Sequence, residues 1–136
     1  MGGARSAEPL PARTVDPRAT GALLVAARRC DSEAAVRLLA CGADPGVRSE
    51  HTGRPALSFA AQCADGGLDI VRELLAARAD VHAASQDKQT ALHVAVAWER
   101  APVVRLLLDA GASKNAQDVH GHTPLSLSAR RNGMYL

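Results

Sequence analysis

The chain repeats a short phrase at intervals of 33 to 35 residues, and this period limits its fold more than any single residue does. The phrase is Ala-Leu or Pro-Leu, and its leucines are Leu23, Leu57, Leu92 and Leu125. In the first three copies, a leucine pair and then Gly-Ala-Asp or a variant of it follow downstream. A period near 33 residues is typical of stacked helix-pair units, which bury one another and leave a long exposed surface for partners.

Composition indicates that the core is made of small and aliphatic side chains. Hydrophobic residues make up 47% of the 136 residues, but aromatic residues only 2%. Short, closely packed helices suit Ala, Leu and Val better than a strand sandwich does. We therefore expect one small all-α repeat domain.

The first 19 residues differ from the rest in composition. Leu10 and Val15 are their only sizeable apolar residues, and Pro9, Pro11 and Pro17 interrupt them. Such a segment cannot bury enough surface to offset chain entropy, so we expect a flexible leader over 1–19. The repeat domain is then expected over 20–136, with repeats at about 20–48, 49–84, 85–117 and a truncated 118–136.

The third repeat shows most clearly how each unit should fold. Thr90 can cap a first helix by accepting an N–H bond, and His93 can return a bond to that turn. Pro102 suits the first turn of a second helix, and Gly111 suits the left-handed position that ends it. These residues predict a helix–turn–helix–loop unit.

These phrases resemble the ankyrin repeat. Thr123-Pro124-Leu125-Ser126 is similar to the family's Thr-Pro-Leu-His phrase, with serine in the histidine position. Gly42-Ala43-Asp44 and Gly111-Ala112-Ser113 are similar to its Gly-Ala-Asp ending. The resemblance covers about 20–136 and implies an ankyrin-type solenoid of stacked helix–turn–helix units with β-hairpin fingers between repeats.

The sequence departs from that pattern mainly in repeat two. The stretch Ala64-Asp65-Gly66-Gly67 adds about two residues between its helices. Arg78 stands where other repeats have the helix-ending glycine, and Lys88 stands where they have a finger-tip glycine. We expect repeats two and three to form the least ideal junction.

The fourth repeat has a first helix from Leu125 to about Arg131 and no second helix before Leu136. A solenoid needs a terminal cap with a polar outer face. We expect a fragment or a shortened isoform; the alternative is that residues 134–136 fold back as a minimal cap. A capped chain is expected to be a monomer.

The cysteines give no sign of catalysis or of a metal site. Cys30, Cys41 and Cys63 are odd in number and lack CxxC spacing, which favours reduced thiols in the cytoplasm or nucleus. No nucleophile signature or phosphate-binding loop accompanies them. We expect no enzyme activity, no cofactor and no metal.

His120-Gly121-His122 is the one paired-histidine motif, and we interpret it as part of a finger, since zinc sites need three or four ligands. A net charge of +2 without a basic run does not favour nucleic acid. No apolar run approaches the ~20 residues needed to cross a bilayer, so no membrane span is expected.

The resemblance places the candidate binding residues on fingers and on the concave side of the first helices. The finger candidates are His51, Arg54, Gln86, Asp87, Gln89, His120 and His122. The concave candidates are Arg28, Arg29, Gln62, Trp98, Arg130 and Arg131. Trp98 is either a partner contact or half-buried against the next repeat. The arginines either attract an acidic segment of a partner or are a solvated charged face.

We therefore predict a non-catalytic protein–protein interaction module or adaptor. One alternative is an ankyrin-type inhibitor of a kinase or another regulatory protein. The resemblance counts against it in part, because such kinase inhibitors shorten the first helix of repeat two, where this chain inserts residues. Another is the recognition arm of a ubiquitin-ligase substrate receptor.

Overall fold

The computed structural model describes the backbone of residues 16–131 and the side chains as far as Ala129. Seven helices lie in this part of the chain. They are α1 (Pro17–Arg28), α2 (Ser32–Ala40), α3 (Ala56–Ala61), α4 (Gly67–Ala76), α5 (Ala91–Ala97), α6 (Ala101–Asp109) and α7 (Pro124–Arg131).

The helices stack as two rows. The first helices α1, α3, α5 and α7 pack on one another in chain order, and the second helices α2, α4 and α6 form the other row. Each second helix also packs on the first helix that precedes it. This arrangement confirms the all-α solenoid predicted from the repeat.

The recurring leucines account for the stacking. Leu23, Leu57 and Leu92 are buried, with 0%, 1% and 2% of their surface exposed. A following first helix packs on each of α1, α3 and α5, and so covers them. Leu125 is 75% exposed, because no described helix packs beyond α7.

The departures predicted in repeat two are present. Residues 62–66 connect α3 to α4, whereas residues 98–100 suffice between α5 and α6. Gly67 is required there, because a Cβ would lie 2.7 Å from the Ala60 carbonyl oxygen. Arg78 and Lys88 have left-handed φ angles of 70° and 61°, as their glycine-like positions predict, at a cost of about 1 kcal/mol each.

Helix α1 begins earlier than we expected. It starts at Pro17, and the side chain of Asp16 caps it by accepting an N–H bond of 2.9 Å from Arg18. Residues 17–19 therefore belong to the first helix and not to the leader, since a proline at the first helical position gives up no hydrogen bond. The rest of the predicted leader, 1–15, lies outside the described residues.

The expectation of three reduced cysteines is wrong for two of them. Cys30 and Cys63 form a disulfide with their Cα atoms 5.6 Å apart, and Cys41 is an exposed free thiol. The paired residues are 33 apart in sequence, so stacking places them side by side at the ends of α1 and α3. The predicted cytoplasmic or nuclear location stays a prediction, and the argument from free thiols no longer supports it.

The fingers are simpler than the predicted β-hairpins. In the described part of the chain, the first two fingers each have one isolated β-bridge, Arg48 to Pro55 and Ala84 to Thr90. In the third finger, Asp118 accepts backbone N–H bonds of 2.9 Å from both His120 and His122 through the same oxygen. A single bridge or a side-chain acceptor is enough to hold each finger in shape, because each finger also packs against its neighbour.

Asp118 is buried, and its pKa reflects two opposing effects. Burial raises the pKa of the carboxyl, but the N–H bonds from His122 and His120, with smaller contributions from Gln89 and the His122 ring, lower it below its ordinary value. The ionised carboxylate thus stabilises the third finger.

Loss of the disulfide should lower the stability of the whole repeat domain. The bond closes a loop of 33 residues, for which the chain-entropy account gives at most about 4 kcal/mol. We expect Cys63→Ala, or a reducing agent, to lower the free energy of unfolding by about 2–4 kcal/mol in urea titrations. Cys41→Ser, which keeps the Cys30–Cys63 pair, is the matched control and should leave the free energy of unfolding unchanged in the absence of reductant. Equal unfolding midpoints with and without reductant would contradict the pairing.

The depressed pKa of Asp118 predicts a pH-dependent stability. Its contribution is fully present above the unfolded pKa of 3.8 and is lost as the pH falls through the lower folded value. We expect Asp118→Asn to lower the melting temperature at pH 7, and the difference from the unsubstituted protein to shrink below about pH 4. Asp65→Asn, an exposed carboxylate in the α3–α4 turn, is the control. A difference that does not change with pH would rule out this role.

Candidate functional site

A groove lies between repeats two and three, on the side of the fingers and the first helices. We call it the finger groove; its volume is about 310 Å³. Five candidates predicted from sequence line it: Arg54, Gln62, Asp87, Gln89 and Trp98. Thr52, Ser58, Ser85, Val94 and Ala97 complete the lining. The structure therefore brings together residues from both predicted groups, fingers and first helices.

Arg54 is held firmly in this groove. Its guanidinium donates to the Gln62 side-chain oxygen at 2.8 Å and to the Ser58 carbonyl at 3.3 Å. The guanidinium carbon also lies 4.2 Å from the centre of the Phe59 ring, within the range of a cation–π contact. Burial lowers the pKa of Arg54, but an arginine side chain stays charged at neutral pH.

Phe59 joins the arginines of neighbouring repeats into one surface. The guanidinium carbon of Arg28 lies 5.8 Å from the same ring. On the other side, Arg100 donates from Nε to the Gln62 carbonyl at 3.2 Å. These contacts link residues of repeats one, two and three on the concave side.

Ser58 explains why a groove forms at this junction. It occupies the position in repeat two that His93 occupies in repeat three. Within the described residues, the Ser58 hydroxyl has no hydrogen-bond partner, although only 1% of the residue is exposed. Serine is too short to make the contacts that histidine makes at the next junction.

His93 has the structural role predicted for it. The Thr90 backbone N–H donates to Nδ1 at 3.1 Å, which leaves the ring proton on Nε2. Nε2 then donates to the His122 carbonyl at 2.8 Å, tying repeat three to the next finger. The ring is fully buried and completes the capping box with Thr90.

Trp98 lies at the end of α5 and has features of both predicted alternatives. Its backbone N–H caps the helix, and 44% of the residue is exposed. It lines the finger groove, beside Val94 and Ala97. Its role as a partner contact remains a prediction.

The other finger candidates lie outside the groove. His51 and Gln86 are exposed, and the Gln86 backbone N–H donates to the Thr52 carbonyl at 3.0 Å, joining two fingers. The rings of His120 and His122 lie 6.2 Å apart on the third finger. No group of three or more possible metal ligands occurs among the residues the structure describes.

The remaining concave candidates are less well placed. Arg29 is exposed at the end of α1, beside Arg28. The side chains of Arg130 and Arg131 lie outside the description.

None of the described helices is both long enough and apolar enough to cross a membrane.

Sequence reasoning missed the residues that shape the groove, above all Ser58 and Phe59. A signal for Ser58 was present, because it replaces the histidine of the repeated phrase in repeat two. Phe59, the one phenylalanine of the chain, follows it directly. Nothing in the sequence shows that two arginines share its ring, since the Arg28 contact depends on the stacking of repeats and the Arg54 contact on how the finger folds against α3.

Comparison with known proteins agrees with this architecture. A family profile described as ankyrin repeats (3 copies) matches residues 23–118 and 62–135. Human SH3 and multiple ankyrin repeat domains protein 1 is 34% identical over 102 residues, which is 75% of this chain and 5% of that protein. A putative ankyrin repeat-containing protein of Treponema pallidum is 37% identical over 106 residues, 78% of this chain and 35% of that protein.

A shorter match occurs to the mouse RelA-associated inhibitor, 37% identical over 67 residues, which is 49% of this chain and 8% of that protein. The chain thus spans about a third or less of the length of each of these three relatives. The matched profile covers more than half of the chain. With its stacked helix pairs and its repeated phrases, the chain belongs to the ankyrin-repeat family.

Proposed function

We propose that this chain is a non-catalytic protein-binding module or adaptor that holds partner proteins through its finger and concave first-helix residues. The observation that carries the proposal is the finger groove, where Arg54, Gln62 and Trp98 converge from two repeats. Ankyrin repeats are a general protein-interaction module, and this groove is a concave, mixed polar and aromatic surface of the kind that binds proteins.

The groove residues are preorganised for binding. Arg54 is fixed by the Phe59 ring and the Gln62 side chain, and Gln62 in turn accepts from Arg100 through its backbone. Side chains that are already ordered lose little entropy when a partner binds. A tryptophan at the rim adds a large apolar surface of the type found in binding hot spots.

The charges support a partner with an acidic segment. Among the described side chains, the ion pairs are Arg37 with Glu33 and Arg72 with Asp69, both on the second helices. On the concave side, neither Arg28 nor Arg54 has a described carboxylate within 4.0 Å. These arginines are therefore open to carboxylates of a partner, which would act mainly on association rate and specificity.

Affinity capture with the full chain, followed by quantitative binding of the proteins retained, tests this function. We expect Trp98→Ala combined with Arg28→Ala to weaken binding by at least ~1 kcal/mol, or about fivefold in Kd. Arg105→Ala, on the exposed side of α6, is the matched control and should bind normally. Partners whose affinity the double variant leaves unchanged would show that the concave surface is not the binding site.

A further inference from the structure

We propose that the finger groove seats a single carboxylate, from an aspartate or glutamate side chain of a protein partner, between the Arg54 guanidinium and the Ser58 hydroxyl. This inference rests on the proposed function and narrows it, because it replaces a general attraction to acidic segments with one defined contact. Two independent observations support it: the unused donors of Arg54 and the unpartnered hydroxyl of Ser58.

The first observation concerns the hydrogen-bond donors of Arg54. Its two hydrogen bonds within the described residues, to Gln62 and to the Ser58 carbonyl, are both donated by Nη2. A guanidinium has five N–H donors, so the three on Nη1 and Nε have no partner within the described residues. The guanidinium carbon lies over the ring of Phe59, 4.2 Å from its centre, which together with the two hydrogen bonds holds the group in place. A planar cation fixed in this way matches the geometry of a carboxylate.

The second observation concerns Ser58. It lines the same groove, is 1% exposed, and has a hydroxyl without a hydrogen-bond partner in the described part of the chain. Buried polar side chains are nearly always paired, so an unpaired one calls for an explanation. A carboxylate oxygen accepts from a hydroxyl as well as from a guanidinium, so one bound group would satisfy both residues.

The third repeat shows what a larger side chain does at the position equivalent to Ser58. There His93 occupies the place of Ser58 and bonds to the carbonyl of His122 in the next finger. Serine in repeat two gives up that bond and leaves a cavity of about 310 Å³ against the finger that carries Asp87 and Gln89. The groove is thus the consequence of one substitution within the repeated phrase.

Asp87 limits the number of carboxylates that the groove can take. It lines the groove from the finger side and is exposed, so its charge disfavours every carboxylate that enters, and only the one that contacts Arg54 and Ser58 gains enough to offset this repulsion. An isolated acidic residue, flanked by neutral or basic ones, fits better than a continuous acidic run. The groove therefore selects partners by the pattern of their charged residues and not only by their net charge.

Peptide selection provides the probe, because it needs no known partner. A displayed library of random twelve-residue peptides is selected on the full chain and counter-selected on Ser58→His, which fills the groove as His93 does. We expect the retained peptides to share one aspartate or glutamate. Replacing that residue by its amide in a synthetic peptide should raise Kd at least tenfold, and replacing any other acidic residue should change it less than twofold.

The protein side is tested with the same synthetic peptide. Arg54→Met should weaken binding about as much as the amide replacement does, and the two changes together should cost little more than either alone. Arg54→Lys, which keeps the charge but lacks the planar fork, should bind with intermediate affinity. Ser58→His should abolish binding while its melting temperature stays equal to or above that of the unsubstituted chain. Arg105→Met, outside the groove, is the control.

The outcomes separate this inference from the proposed function. Peptides that need Trp98 but tolerate both the amide replacement and Arg54→Met would overturn the carboxylate site and leave the binding function standing. If no peptide is retained by the chain over Ser58→His, the carboxylate site is wrong as well. If, in addition, captured proteins are insensitive to Trp98→Ala with Arg28→Ala, the proposed function falls with it.

Discussion

The structure depends on the close stacking of its first helices. Alanines at their contact faces, among them Ala27, Ala60, Ala61 and Ala95, are completely buried, and their small side chains let neighbouring helices approach. Three leucines of the repeated phrase, Leu23, Leu57 and Leu92, fill the space between them. Each unit is too small to bury its own apolar face, so burial by the next unit supplies most of the stability. The fingers and the groove are positioned only because this stacking is tight.

Tight stacking also means that equivalent residues of successive repeats lie next to one another. Cys30 and Cys63 occupy such positions, and the stack brings them within disulfide distance. Ser58 and His93 also occupy equivalent positions, but one junction gains a hydrogen bond and the other a groove. A single side chain therefore changes one junction and leaves the rest of the solenoid intact, which is how a repeat protein can acquire a particular binding surface.

The sequence was informative about candidate binding residues to the extent that their repeat position defines them. Arg54, Gln62 and Trp98 were found because the resemblance assigns their positions to fingers or first-helix ends, and the groove contains all three. Phe59 and Ser58 were not found, because their importance comes from contacts that form only in the folded chain, some within repeat two and some across to its neighbours. The same resemblance also selected His51, which is exposed and lies apart from the groove. The position of a residue within its repeat thus identifies the face of the molecule on which it lies, but not whether it lines the finger groove.

By itself, the sequence determined the stacked helix pairs, the added turn residues in repeat two and the left-handed positions of Arg78 and Lys88. These features follow from local chemistry, such as caps, turns and the spacing of apolar residues. Residues close to one another in the sequence determine them. Only the tertiary structure decided that Cys30 pairs with Cys63, that Arg28 and Arg54 share the Phe59 ring, and that Ser58 opens a groove. The disulfide and the Arg28–Phe59 contact join residues of different repeats, and the groove lies between two repeats. They exist because neighbouring helices pack at a distance that no single repeat encodes.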